Sequence, residues 1–143
     1  MNHVPIEKNI ESTKIIFFDG YCQLCNKAID WLLRRDAKNQ FFFASLQGQT
    51  AQKFLTGIYK SDFIEKDTLI YLRNQVPLEK STAILMILID IGGLWKAMGI
   101  LFIIPRPLRD LIYFFIAKNR YRFFKKRTHC RLPSPDESKK LLP

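Results

Sequence analysis

Two cysteines three residues apart, in Cys22-Gln23-Leu24-Cys25, are the side chains of this 143-residue chain best suited to chemistry. A thiolate attacks disulfides, and a second thiol at this offset can reach the first sulfur and release the mixed disulfide. The apolar run Lys14 to Phe18, stopped by Asp19-Gly20, comes just before the pair. Leu24, Ala28, Trp31 and Leu32 follow at helical spacing. The pair therefore opens a helix directly after a strand. There, unpaired backbone N–H groups and the positive end of the helix dipole stabilise a thiolate. Such sites lower a cysteine pKa from about 8.5 into a range of roughly 3.5 to 7.5. Tyr21, Gln23 and Leu24 bear no charge, so helix position must do most of the tuning. This reading makes Cys22 the exposed nucleophile and Cys25 the resolving thiol tucked beneath the helix. Asp19 has two readings: a turn residue or cap, and a carboxylate that takes or relays a proton as Cys25 attacks.

The elements that must position this pair follow from periodicity. Strands are predicted over Lys14 to Phe18, Phe41 to Ala44, Thr68 to Leu72 and Val76 to Leu78, with a tight turn at Asn74 between the last two. Helices are predicted over Gln23 to Lys38 and Gln47 to Tyr59, then from a Ser81-Thr82 cap. The order is β-α-β-α-β-β-α, which implies a parallel first crossover and an antiparallel hairpin. Ala83 to Ile104 is apolar, but Asp90, Lys96 and Gly92-Gly93 interrupt it, so two packed helices are expected rather than a membrane span. Pro105 and Pro107 introduce a last helix from Leu108 to about Phe124. Residues 1–13 are a polar leader, and residues 14–143 form one domain with a basic helical extension over about 105–143.

At 48% hydrophobic and 25% charged residues, with 6 Gly and 7 Pro, the chain is neither disordered nor collagen-like. Three cysteines are too few for a secreted disulfide scaffold. The N-terminus has no apolar stretch of signal length, from which a cytoplasmic location is expected. In a reducing compartment a close cysteine pair is metal-binding or catalytic rather than a staple.

The segment Phe18-Asp19-Gly20-Tyr21-Cys22-Gln23-Leu24-Cys25 resembles the opening motif of the DCC family of thiol-disulfide oxidoreductases, named for Asp-x-x-Cys-x-x-Cys. The likeness continues through Lys80-Ser81-Thr82-Ala83-Ile84, Asn119-Arg120-Tyr121-Arg122 and Cys130-Arg131-Leu132-Pro133-Ser134-Pro135. It implies a thioredoxin-like α/β fold with extra C-terminal helices, a dithiol redox role, and protein or small-molecule disulfides as substrates. Thioredoxins carry a cis-proline just before the third strand, where this chain reads Glu65-Lys66-Asp67-Thr68-Leu69. Thr68 or Asp67 is thus expected at the substrate-facing position, with Tyr21 beside it.

Other readings compete. Cys22, Cys25, His129 and Cys130 are four candidate zinc ligands, thiolate and imidazole suiting that metal. Adjacent side chains such as His129 and Cys130 rarely share one ion, so no metal is assigned. No cofactor is assigned either, because the dithiol itself carries the electrons. The net charge of +10 is concentrated in residues 106–131, which hold nine Lys or Arg and one acid, Asp110. Arg106, Arg109, Lys118, Arg120, Arg122, Lys125, Lys126 and Arg127 are interleaved there with Tyr113, Phe114, Phe115, Tyr121, Phe123 and Phe124. The first reading has the aromatics complete the core and the cations form a solvated face. The alternatives are peripheral contact with an anionic membrane surface and, less favoured, single-stranded nucleic acid.

Overall fold

Both faces of the central sheet are covered, and the side-chain alternation of its first strand shows why. The computed structural model describes residues 13–57, 68–123, 135 and 139–142, apart from the side chain of Tyr121. Strand β1 (Lys14–Phe18) sends Ile15 and Phe17 to one face and Ile16 and Phe18 to the other. On the first face they meet Ala51 and Leu55 of α2 (Gln49–Leu55). On the second they meet Ile29 and Leu32 of α1 (Gln23–Arg35) and Ala83 and Ile87 of α3 (Lys80–Ile91). A strand buried on both sides reads as a continuous apolar run, as β1 does.

β1 pairs parallel with β2 (Phe41–Ser45) and antiparallel with β3 (Ile70–Arg73), which pairs antiparallel with β4 (Val76–Glu79). The strand order is β4-β3-β1-β2-β5, the thioredoxin-like arrangement with one strand added. That strand, β5 (Leu141–Leu142), runs parallel to β2 inside what reads from sequence as a helical extension. Two leucines carry no periodicity of their own; they form a strand only because the edge of β2 is there to pair with. Asn74 and Gln75 both take positive φ, as the tight β3–β4 turn requires.

Several helix boundaries differ from those expected, among them α2, which spans Gln49–Leu55 rather than Gln47 to Tyr59, and the last helix, which starts at Arg106 rather than Leu108. α1 ends at Arg35 rather than Lys38; the Asp36 N–H makes the last i→i−4 bond, to the Leu32 carbonyl. The Asp36 carboxylate then accepts from the N–H groups of Gln40 and Phe41. Ser81 does not cap α3; its hydroxyl donates to Asp110 instead. After Gly92 and Gly93, both at positive φ, Gly93–Ile103 forms a 3₁₀ helix rather than an α-helix. None of its residues is buried, so no core imposes the 3.6-residue period. Helix α4 (Arg106–Phe123) follows, with Pro107 in its first turn where a missing N–H costs nothing.

Asp90, which interrupts the apolar run in the sequence, ties α3 to the sheet. It accepts from Tyr71 Oη at 2.6 Å and from Arg73 Nε and Nη2 at 2.9 and 3.0 Å. Burial, helped by this bond, pushes the Tyr71 hydroxyl above its ordinary pKa. Asp90→Ala is expected to cost about 3 kcal/mol, since it strands a buried hydroxyl and a guanidinium. A urea-unfolding midpoint unchanged from the parent would refute this.

Candidate functional site

β1 delivers Asp19 to the sheet's end, and the chain turns so that Cys22 caps α1. The turn is braced from below. Asn26, buried one turn into the helix, donates from Nδ2 to the carbonyls of Gly20 (2.9 Å) and Cys22 (2.7 Å). Gln47, beyond β2, accepts from the Gly20 N–H and donates to Asp19 Oδ1 at 3.1 Å. That same oxygen accepts from the Tyr21 N–H at 3.0 Å.

The Cys22 sulfur stands at the helix N-terminus and accepts from the Cys25 N–H at 3.3 Å. A hydrogen bond from the Cys25 thiol, and then this backbone N–H and the Arg120 charge, overcome burial and hold the Cys22 pKa at about 6. The ordinary value is 9.0. Cys25 moves the other way: its bond to Cys22, burial and the nearby Cys22 charge push its pKa far up. The expected exposures are reversed. Cys22 is 0% exposed, whereas Cys25 is half-buried and faces a cavity. The helix cap draws the first sulfur inward, onto the N–H groups that acidify it.

Sequence periodicity did not single out the side chain that closes the site. Arg120, in the last turns of α4, is 5% exposed and donates to Asp19 Oδ2 at 3.1 Å. Its Nη1 lies 3.9 Å from Cys25 Sγ. Asp19 is equally buried, so the two form an ion pair sealed beside the cysteines. The sequence counts Arg120 among solvated cations; the one signal for its role is its place in the Asn119-Arg120-Tyr121-Arg122 likeness.

Between α1, α3 and α4 lies a cavity of about 480 Å³. Its walls are mostly apolar, among them Leu24, Trp31, Leu69, Ile84 and Ile112, with Cys25, Ser81, Tyr113, Arg109 and Arg120 as the polar exceptions. Arg109 stacks over Phe102, 4.9 Å from the ring centroid. Thr68 is buried and Tyr21 half-buried; neither lines the cavity. The wall is instead built by Leu69, whose N–H donates to Tyr113 Oη at 3.0 Å.

No group of three or more metal-ligating side chains occurs among the described residues. His3, Ile58, Tyr59, Asp67 and residues 124–131, including His129 and Cys130, lie outside the described residues. No described helix is long and apolar enough to cross a membrane.

The family model for DCC1-like thiol-disulfide oxidoreductases matches residues 16–126. The chain belongs to that family. This DCC protein is 37% identical over 132 residues to the uncharacterized protein YuxK of Bacillus subtilis (strain 168), covering 91% of this chain and 94% of the relative. It is 30% identical over 122 residues to the chloroplastic DCC family protein At1g52590 of Arabidopsis thaliana, covering 82% of this chain and 69% of that protein. No solved structure matches it. The three elements of the family motif, Asp19, Cys22 and Cys25, meet at one point of the fold, together with Arg120 from the far end of the matched region.

Proposed function

We propose that this DCC protein performs thiol–disulfide exchange, with Cys22 as the attacking thiolate and Cys25 as the resolving thiol. The observation that carries the reading is the asymmetry of the pair: a helix-capping Cys22 at about 6 and a Cys25 driven upward by it. Cys25 has the more accessible sulfur, but the thiolate is the nucleophile, and at neutral pH that is Cys22. Because Cys22 is covered, a substrate disulfide must displace its neighbours to reach it.

In the reducing direction the Cys22 thiolate attacks one substrate sulfur. A Cys22–substrate disulfide forms, the substrate S–S bond breaks, and the other half leaves as a thiolate. Cys22 now carries no charge and no longer accepts the Cys25 thiol proton. The largest causes holding Cys25 protonated therefore disappear, while Arg120 remains 3.9 Å from its sulfur to favour the thiolate. Cys25 gives up its proton to the substrate thiolate released in the first step and attacks Cys22 Sγ. The second substrate thiolate leaves, and the pair is left as a Cys22–Cys25 disulfide with two electrons transferred. In this reading Asp19 holds Arg120 over Cys25, which their 3.1 Å ion pair supports. As proton acceptor it would act through the same carboxylate, whose two oxygens already bind Tyr21, Gln47 and Arg120.

A glutathione redox titration with alkylation and mass spectrometry tests this. Cys22 and Cys25 should convert together as one two-electron couple. The reduced pair holds two protons below the Cys22 pKa and one above it. The midpoint should therefore fall by about 59 mV per pH unit below pH 6 and about 30 mV above it. At pH 7 the acidic thiolate favours the reduced form by about 1.4 kcal/mol, so the midpoint should lie about 30 mV above that of a dithiol without the shift. Cysteines that oxidise independently, or a slope without a break between pH 5 and 8, would sink the assignment.

A further inference from the structure

Helix α4 is amphipathic in the wrong sense for a helix packed on its own domain. Positions 109, 110, 113, 117 and 120 turn toward the body at helical spacing, and four of these are polar. Arg109 donates to the Ile104 carbonyl, Asp110 accepts from Ser81, Tyr113 accepts from the Leu69 N–H, and Arg120 pairs with Asp19. The opposite side presents Leu108, Leu111, Phe114 and Phe115 to solvent, with Leu111 64% and Phe115 66% exposed. The preceding 3₁₀ helix adds exposed Leu94, Ile100 and Ile103. Phe114, Phe115 and Phe123 therefore do not complete the core, and Arg120 is not part of a solvated face, whereas Arg106, Lys118 and Arg122 are exposed as expected from sequence. The functional ion pair claims the polar side of α4 for the interior, so the apolar side is left outside. An exposed apolar surface of this extent marks an interaction site.

Charge identifies the partner. Between residues 91 and 135 the only acid is Asp110, and it is turned in on Ser81 with Arg106 beside it. Lys96, Arg106, Lys118 and Arg122 are exposed. Two copies packed on this face would bring the same cations together with no carboxylates to answer them. A bilayer carrying anionic headgroups answers both the apolar side chains and the cations. We propose that α4 and the 3₁₀ helix form a docking face for an anionic lipid surface. The aliphatic and phenyl groups of α4 sit at the headgroup boundary, and the exposed Lys and Arg pair with lipid phosphates. Contact is peripheral, since no described helix can span. Arg120 belongs to the same helix, so docking places the cysteine pair close to the membrane surface. This inference does not depend on the exchange mechanism.

Flotation of the full chain with phosphatidylcholine vesicles, with and without phosphatidylglycerol, tests it. The protein should float with the anionic vesicles at low salt and release as salt screens the contact. The pair Lys118→Glu with Arg122→Glu should lower the bound-to-free ratio by about 30-fold or more. Leu111→Gln should lower it about tenfold or more, because a buried leucine is lost from the contact. Both variants should keep the parental circular-dichroism melt, since these side chains are exposed. No flotation at low salt would overturn the proposal, as would equal binding to neutral vesicles. So would sedimentation showing a dimer that Leu111→Gln dissociates, or tighter salt-sensitive binding to a single-stranded oligonucleotide than to anionic vesicles.

Discussion

Cys22→Ser is expected to bring disulfide exchange down to the uncatalysed rate, while Cys25→Ser keeps the first attack and accumulates mixed disulfide with substrate. The reason lies in how the two sulfurs share one proton. With a pKa of about 6, Cys22 is roughly nine-tenths ionised at pH 7, against about one part in a hundred for a thiol at 9.0. A serine hydroxyl at the same cap has no comparable anion. In the proposed mechanism Cys25 resolves the mixed disulfide, and its thiol is also the largest support of the Cys22 thiolate. Cys25→Ala should therefore raise the Cys22 pKa, and Cys25→Ser should raise it less because a hydroxyl still donates. Rates of iodoacetamide alkylation against pH read this directly. If Cys25→Ala leaves the Cys22 profile at about 6, the thiol hydrogen bond is not the support assigned to it.

The same shift makes the stability of the reduced protein depend on pH. Between about 6 and 9 the folded chain binds fewer protons at Cys22 than the unfolded chain does. The Cys22 contribution to stability should rise with pH through that window and be lost as pH falls through 6, while above about 9 the raised pKa of Cys25 opposes it. Cys22→Ser should flatten the rise, which urea melts of reduced protein would show.

Arg120→Met is expected to be the most damaging change outside the cysteines. Arg120 and Asp19 are each 5% exposed at 3.1 Å, and removing one partner of such a pair leaves a buried, uncompensated charge. The cost should be about 3 to 5 kcal/mol of stability. The double variant Asp19→Asn with Arg120→Met should recover part of it, because no lone charge remains. A merely structural arginine would change melting alone. This one should also raise the Cys22 pKa and slow resolution by Cys25, since its charge lowers the pKa of both sulfurs. Unchanged alkylation profiles in a folded Arg120→Met protein would reduce its role to packing.

The sequence by itself determined the local features: the strand-to-helix placement of Cys22 and Cys25, the alternating core strands, and the antiparallel hairpin at Asn74. Each rests on short-range periodicity or turn chemistry, which neighbouring residues settle among themselves. The acidity of Cys22 is only partly of this kind: the hydrogen bond from the Cys25 thiol, rather than helix position, is its largest cause, and the Arg120 charge that adds to it comes from far along the chain. Only the tertiary structure decided which sulfur is covered, which cation closes the site, and which way α4 faces. Arg120 is 101 residues from Asp19, and helical period shows that a face is polar without showing whether that face meets water or a buried carboxylate. The general rule that apolar sides turn inward failed at α4, where the buried ion pair at the cysteines outweighed it. β5 was invisible for a related reason: two leucines become a strand only against an edge that distant residues have built.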